Sequence, residues 1–272
     1  MLEQFQPLLY RVALDHQRRA ETRAVPAETR LMTRLGVIAG GGDLPRRLAE
    51  HARGSGREVF ILSLRGFADP KLTAEFGGAE AAMGEVGKSI RLLKDAGCGE
   101  VVFAGTVKRP DLSALQFDMR GAALLPELVA AAARGDDALL RVVLGAFEKA
   151  GFRVIGADDV LDALLAPAGA IGSLAPTQQE WIDIRLAAGA ASRIGAQDVG
   201  QGAVARDGVI VATETQDGTD AMLQRIQPAP GGSNGVLVKR PKPQQERRID
   251  LPTIGANTVR SAAAAGLAGI AI

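Results

Sequence analysis

Three consecutive glycines stand between an apolar segment and a predicted helix. The apolar residues 35–39 precede the glycines, and residues 44–53 have the spacing of an amphipathic helix. Backbone amides in such a turn can approach a phosphate closely, and the helix N-terminus adds about half a positive charge. The pattern indicates phosphate or nucleotide binding, although a plain tight turn has the same composition. The candidate ligand-binding residues here are Gly40, Gly41, Gly42 and Asp43.

A second glycine turn, at Gly105 and Thr106, follows the third predicted strand. Because the carboxyl ends of parallel strands meet at one edge of a sheet, the two turns could share a ligand. A dinucleotide site is disfavoured, since Pro45 replaces the third glycine and the second strand ends without an acidic residue for a ribose hydroxyl. A nucleotide-sugar oxidoreductase is therefore disfavoured too.

Carboxylates and cations are grouped in the second half of the chain. Hydrolysis of a phosphate ester or anhydride needs charge stabilisation and a positioned water, which carboxylates with Mg²⁺ and a Lys or Arg can supply. Oxygen ligands suit Mg²⁺, and the chain offers only two His and one Cys to a softer metal. Asp250 is notable because the apolar residues Ile249, Leu251 and Pro252 flank it in the sequence. A carboxylate in such a segment is not expected to be freely solvated, as most surface carboxylates are. The group comprises Glu214, Asp217, Asp220, Lys239, Arg240, Lys242 and Asp250.

Composition excludes several classes of protein. The chain has 32 Lys and Arg against 31 Asp and Glu, so a net charge of +1 gives no general attraction to nucleic acid, and we expect no nucleic-acid partner. The single Cys98 cannot form an internal disulfide, which suits a reducing cytoplasm. No apolar run approaches the about 20 residues of a membrane-spanning helix. We therefore expect a cytoplasmic globular protein.

The elements that would position these residues fall into two groups. Strands alternate with helices through residues 34–166, which predicts a parallel sheet covered by helices on both faces, a Rossmann-like domain. After a linker at 166–176, a helix is predicted over 178–194, and Asp207-Gly208 between apolar runs indicates a β-hairpin. Residues 167–272 are therefore predicted to form a second, mixed α/β domain. Residues 1–33 are predicted to be either a helical or disordered extension or a stretch before the true start at Met32, and the second reading is favoured.

Several motifs, met in order along most of the chain, resemble one family. They include a run of DLPTIG at 250–255, and the whole resemblance runs from residue 33 to residue 272. The sequence is similar to the LpxI family of UDP-2,3-diacylglucosamine pyrophosphatases. The matching segments are 35–45, 66–70, 84–88, 103–110, 149–152, 198–204, 214, 218–223, 239–244 and 250–255.

The resemblance implies a specific reaction. Such enzymes hydrolyse UDP-2,3-diacylglucosamine to 2,3-diacylglucosamine 1-phosphate (lipid X) and UMP in lipid A biosynthesis, with Mg²⁺, on the cytoplasmic side of Gram-negative bacteria. They hold the substrate between two domains. The resemblance further implies a lipid-linked nucleotide-sugar substrate. It is compatible with contact with the inner-membrane surface and with a homodimer. The alternative is a non-enzymatic regulatory protein that binds a nucleotide or nucleotide sugar.

The resemblance also assigns residues. The essential aspartate of the family's motif matches Asp250, which we expect to be catalytic. Residues 1–31 have no counterpart in the family and the chain ends early, which predicts an open edge in the second sheet. The expected metal ligands are Asp250, Glu214 and Asp220, and the expected substrate-binding residues of the second domain are Gly200, Gln201, Gly202, Thr219, Asp220 and Lys239.

Overall fold

The computed structural model of the chain describes most of its residues and divides them into two units. The first unit contains residues 34–165 together with 246 and 248. The second contains residues 8–11, 166–245 and 251–272, within the described part of the chain. The described residues are 8–11, 34–108, 111–228, 234–243, 245, 246, 248 and 251–272.

A five-stranded parallel sheet forms the first unit. Its spatial order is β4-β3-β2-β5-β6, so the chain changes direction across the sheet between β2 and β5. This is the doubly wound arrangement, in which ligands bind outside the carboxyl ends of the strands where the order reverses. The strands are β2 (Arg34–Ala39), β3 (Val59–Leu64), β4 (Gly78–Ala81), β5 (Cys98–Ala104) and β6 (Arg153–Ile155).

Helices cover both faces of this sheet. One face packs Leu35, Val37 and Ile61 against the helices that follow β2 and β3, and the other packs Ile38 and Leu62 against later helices. Both faces of each central strand are therefore apolar, as a buried parallel sheet requires. The predicted Rossmann-like fold is confirmed. The helices are α1 (Leu44–Gly54), α2 (Lys71–Phe76), α3 (Val86–Asp95), α4 (Met119–Ala132), α5 (Asp136–Lys149) and α6 (Ala157–Val160).

The second unit is built on a mixed six-stranded sheet with the order β7-β1-β11-β10-β8-β9. A long helix packs on one face through Ile184 and Ala187, and two shorter helices pack on the other through Met222 and Ala262. The mixed α/β character expected of this half is confirmed. Its elements are β1 (Leu8–Arg11), β7 (Gly169–Ala170), β8 (Gly202–Arg206), β9 (Val209–Thr213), β10 (Val236–Lys239), β11 (Gly269–Ala271), α7 (Gln178–Ala196), α8 (Gly218–Gln224) and α9 (Ala256–Ala264).

The predicted hairpin joins β8 to β9. Asp207 and Gly208 both have positive φ, at 51° and 78°, which is the backbone that a tight two-residue hairpin turn requires. The carboxylate of Asp183, fully buried on α7, accepts the N–H groups of Asp207 at 3.1 Å and Gly208 at 2.7 Å. A helix side chain therefore secures the turn.

The N-terminal residues differ from expectation where the structure describes them. Residues 8–11 are a β-strand, so the prediction of a helix or of disorder is wrong for these four; the rest of 1–33 lies outside the described residues. Strand β1 runs parallel to β11, which is paired to β10 on its other side. Strand β11 is therefore not an edge of this sheet, whose edge strands among the described residues are β7 and β9.

In the described residues, no helix combines the length and apolar character needed to cross a membrane.

Candidate functional site

The two glycine turns of the first unit meet at the point where the strand order reverses. Gly41 and Thr106 exchange two backbone hydrogen bonds, of 2.9 Å from the Gly41 N–H and 2.8 Å from the Thr106 N–H. The Gly40 N–H donates to the Ala104 carbonyl at 2.8 Å. The structure thus brings the two predicted turns together.

Close backbone approach explains the glycines. A Cβ at Gly40 would lie 2.7 Å from the Thr106 carbonyl oxygen, and one at Gly105, where φ is 94°, would lie 2.5 Å from the Gly41 carbonyl oxygen. Distances under 3 Å do not occur for real side chains, so any larger residue would force the loops apart. The amides of Gly40 and Gly41 already donate to the Ala104 and Thr106 carbonyls, so neither is free to contact a ligand.

Gly42 and Asp43 remain available to a ligand. Both are exposed, Gly42 has a φ of 84°, and no described residue accepts a hydrogen bond from either amide. They stand at the N-terminus of α1, where N–H groups are unpaired and the helix dipole favours an anion. Nearby at the end of β3, Ser63 is paired in register with Ala39, and its buried hydroxyl has no hydrogen-bond partner among the described residues. This edge of the sheet therefore offers polar groups to a ligand.

A second group of predicted residues surrounds Glu214 in the second unit. Glu214 is buried, and its Oε2 accepts a hydrogen bond from the Thr219 hydroxyl at 3.2 Å. A Cβ at Gly202 would lie 2.6 Å from the same oxygen, and one at Gly200 would lie 2.8 Å from the Glu214 carbonyl oxygen. The two glycines therefore make room for Glu214, which explains why they frame Gln201 in the sequence.

Lys239 and Gln201 extend this group. Lys239 is buried at the end of β10 opposite Gly202, and its Nζ donates to the Thr253 carbonyl at 3.3 Å. The side-chain oxygen of Gln201 accepts a hydrogen bond from the side-chain amide of Gln245 at 3.4 Å. Of the predicted residues of this half, Gly200, Gln201, Gly202, Glu214, Thr219 and Lys239 are brought together.

Asp220 and Asp250 are not placed in this group. Asp220 is exposed on α8, next to the buried Thr219, and within the described part of the chain it makes no hydrogen bond to Glu214. Asp250 lies outside the described residues; Arg248 and Leu251 are the nearest described positions on either side. The catalytic role of Asp250 stays a prediction.

The donors around Glu214 are oxygen atoms, which is the chemistry that Mg²⁺ prefers. Within the described ranges, no three His, Cys, Asp or Glu side chains converge as a metal site. Glu214, the Thr219 hydroxyl and the Gln201 side-chain oxygen are described oxygen donors of the group, and a further carboxylate would have to come from elsewhere. The residues present thus fit Mg²⁺ as part of a ligand set.

The chain just before Asp250 is held by helix α5 of the first unit. The buried Asp137 accepts the backbone N–H of Glu246 at 2.6 Å, and Arg248 donates to Glu148 at 2.5 Å. Arg248 also donates to both carboxylate oxygens of Glu246, at 2.9 Å each, and these hydrogen bonds lower the pKa of Glu246. Sequence reasoning missed these residues, because Asp137 has the appearance of an ordinary acidic residue in a helix's first turn.

The fold and these groups of residues define a two-domain α/β protein whose first domain is a doubly wound parallel sheet. The chain belongs to the LpxI family: the LpxI N-terminal domain matches residues 34–164 and the LpxI C-terminal domain matches residues 167–272.

One relative is the UDP-2,3-diacylglucosamine pyrophosphatase LpxI of Caulobacter vibrioides. It is 49% identical over 246 residues, which span 88% of this chain and 88% of the relative. Among solved structures, one match is an N5-carboxyaminoimidazole synthase from Aspergillus clavatus in complex with ADP and 5-aminoimidazole ribonucleotide. The match covers 68% of this chain and 41% of the synthase chain, with 14% sequence identity and a TM-score of 0.25.

Proposed function

We propose that this protein is a hydrolase that cleaves the diphosphate of UDP-2,3-diacylglucosamine in lipid A biosynthesis. The observation that carries the proposal is the 49% identity, over 88% of both chains, to a pyrophosphatase of that name. In the reaction a water oxygen forms a bond to one phosphorus atom and the bridging P–O bond breaks. The products are 2,3-diacylglucosamine 1-phosphate and UMP.

Asp250 has the central chemical role in this proposal. A carboxylate can take a proton from the attacking water or hold a metal ion beside the phosphate, and the DLPTIG motif at 250–255 places one there in sequence. The neighbouring structure supports a polar site: Thr253, three residues later, receives a hydrogen bond from the buried ammonium group of Lys239. A Lys that is held in this way also contributes positive charge near the motif.

Mg²⁺ belongs to the proposal as well. When bound, it would neutralise the negative charge that develops on the phosphate oxygens. Glu214 with Asp250 would hold it, and Asp220 stays a candidate ligand on the sequence argument alone. Thr219, which donates to Glu214, would keep that carboxylate in one orientation.

The glycine turns are assigned to binding. Gly42 and Asp43 present free amides at the N-terminus of α1, where a phosphate or a polar group of the uridine can be bound. Gly41 and Thr106 shape this site through their two mutual hydrogen bonds, and Gly40 and Gly105 shape it by allowing the two loops to approach closely. Because the substrate carries two acyl chains, we also propose that the enzyme works on the cytoplasmic side, at the surface of the inner membrane.

The test compares Asp250→Asn with Asp95→Asn, an exposed carboxylate at the end of α3. Asparagine keeps the shape but removes the charge, so turnover should fall by about 10²-fold or more for Asp250 and stay unchanged for Asp95. EDTA should abolish activity and Mg²⁺ should restore it. Wild-type turnover in Asp250→Asn would refute the catalytic assignment, and binding without hydrolysis by the unmodified chain would indicate the non-enzymatic alternative.

A further inference from the structure

Helix α4 of the first unit carries apolar residues on two faces. One face, which includes Leu128 and Ala131, is buried. The other face is open to solvent, although a surface helix normally turns charged and polar residues to that side. At about 100° per residue, its six apolar residues fall within an arc of about 120° and form one continuous stripe. The residues of this α4 stripe, all exposed, are Met119, Ala122, Ala123, Pro126, Val129 and Ala130.

Two members of the α4 stripe are large side chains left in water. Met119 is 92% exposed and Val129 is 56% exposed. No element in the described part of the chain therefore covers them. Single exposed apolar residues are ordinary, but a contiguous apolar patch marks contact with a partner or a membrane. The size and charge of the stripe indicate which of these covers it.

The stripe is too small to hold a second protein chain by itself. Helix α4 has 14 residues, and a rise of about 1.5 Å per residue makes it about 21 Å long. With a helix diameter of about 10 Å, one face offers about 200 Å². A stable protein interface needs about 800 Å² on each partner and a few large anchoring side chains, whereas this face is mostly alanine. A lipid surface has no such requirement.

The charges beside the stripe favour a lipid surface that is anionic. Arg120 lies in the first turn of α4, Arg134 follows its last turn, and both are exposed. Glu127, midway between them, is the single acidic residue of the helix. A helix that lies in a membrane interface buries its apolar face by about 5–10 Å, while its cationic side chains meet anionic headgroups. The long aliphatic part of an arginine suits this position, because it can stay near the apolar layer.

The stripe begins at the ligand-binding edge of the first sheet. Asp118, just before α4, accepts the N–H of Lys88 in the first turn of α3 and the N–H of Gly121 in α4, each at 2.8 Å. Helices α3 and α4 therefore begin side by side. Helices of a doubly wound sheet begin at the carboxyl edge of the strands, which is also the edge that carries the glycine turns. Met119 thus lies at that edge.

We propose that the α4 stripe docks on the surface of an anionic lipid bilayer. The proposal rests on the proposed function, because a substrate with two acyl chains resides in a membrane. The apolar side chains enter the headgroup region, and Arg120 and Arg134 contact lipid phosphates beside them. Docking in this way brings the ligand-binding edge of the first unit to the bilayer that holds the substrate.

The experiment measures sedimentation of the full-length chain with vesicles in the absence of substrate. One set of vesicles is phosphatidylethanolamine with about one-quarter phosphatidylglycerol, and the other is phosphatidylcholine alone. We expect binding to the anionic vesicles to be at least about fivefold stronger than binding to the neutral ones. Added salt should weaken it, because salt screens the attraction between the arginines and the phosphates.

Variants of the stripe test which surface makes the contact. Val129→Glu and Met119→Glu each put a charge into the stripe and should lower binding at least about fivefold. The matched control is Val209→Glu, at a valine of the second unit that is 61% exposed, and it should bind as wild type. Replacing both Arg120 and Arg134 by Gln should remove most of the preference for anionic vesicles. Thermal unfolding checks that each variant is folded.

Hydrolysis gives a second readout. Val129→Glu should have wild-type turnover on UDP-2,3-diacylglucosamine dispersed in detergent and at least about fivefold lower turnover on substrate held in anionic vesicles. An equal loss in detergent would overturn the proposal, because the stripe would then contact the substrate itself.

The proposal is also overturned if the wild-type chain does not bind anionic vesicles, or if Val129→Glu binds them as wild type does. A dimer in analytical ultracentrifugation that Val129→Glu dissociates would assign the stripe to a second copy instead. Failure of the wild-type chain to hydrolyse the substrate in detergent would count against the proposed function, and vesicle binding would still be measured independently of it.

Discussion

Burial controls the chemistry of Cys98, the single cysteine, at the start of β5. Removal from water raises the pKa of its thiol from 9.0 to about 11. The folded state therefore favours the protonated thiol. The resulting stabilisation is present below pH 9 and is lost as the pH rises from 9 towards 11.

We expect Cys98 to be inert to thiol reagents in the native protein. A pKa higher by about two units leaves about 100-fold less thiolate at pH 8, and burial slows access further. Iodoacetamide labelling followed by mass spectrometry should be at least about 100-fold slower in the folded than in the urea-unfolded chain. Equal labelling rates in the two states would show that Cys98 is exposed.

Residues 40–42 show how far sequence reasoning reaches at the level of single groups. Three glycines between a strand and a helix correctly indicated a tight turn, whereas the approach to a phosphate that they suggested stays a prediction. They did not reveal that the amides of Gly40 and Gly41 are taken by Ala104 and Thr106, because that depends on a loop about 65 positions away. Only the amides of Gly42 and Asp43 remain for a ligand, which narrows the predicted phosphate site.

At the level of secondary structure, the strongest prediction concerned the hairpin of β8 and β9. Asp-Gly between apolar runs requires positive φ at both positions, and the structure shows it. The role of Asp183 had no signal, because one buried aspartate on α7 looks like any other polar residue of an amphipathic helix. Its two backbone partners become visible only when the helix is packed on the sheet.

We expect Asp183→Ala to destabilise the second unit by about 3 kcal/mol, since it leaves two turn amides without an acceptor. Asp183→Asn keeps one acceptor oxygen and should lose about half as much. Trp181, the only tryptophan, lies on the same helix and can report thermal unfolding by fluorescence. Arg185→Ala, at an exposed position of α7, is the control, and an equal shift in Tm for it and Asp183→Ala would contradict the role assigned to Asp183.

Short and weakly patterned elements were the ones that sequence reasoning missed. Helix α2 and strand β4 occupy residues 71–81, where β4 has the sequence Gly-Ala-Glu-Ala and no apolar alternation. Strand β4 exists because it adds to the edge of β3, so tertiary context outweighs its low strand propensity. The same reason applies to β1, which is a strand because it pairs with β11.

At the level of the whole molecule, two units with different sheets account for the two kinds of sequence pattern. The sequence pattern of alternating strands and helices corresponds to the parallel sheet, and the pattern of a hairpin with flanking helices corresponds to the mixed sheet. The family domains match residues 34–164 and 167–272, so the resemblance extends over both. Composition and spacing did not predict the lipid part of the substrate. The glycine turns and the carboxylates are explained by any ligand with a nucleotide and a diphosphate, whether or not it carries acyl chains.

Product analysis tests the central claim most directly. The full-length chain is incubated with UDP-2,3-diacylglucosamine and Mg²⁺, and the products are separated by thin-layer chromatography and identified by mass spectrometry. Hydrolysis of the diphosphate predicts 2,3-diacylglucosamine 1-phosphate and UMP in equal amounts. Recovery of intact substrate, or of UDP with diacylglucosamine, would contradict the account.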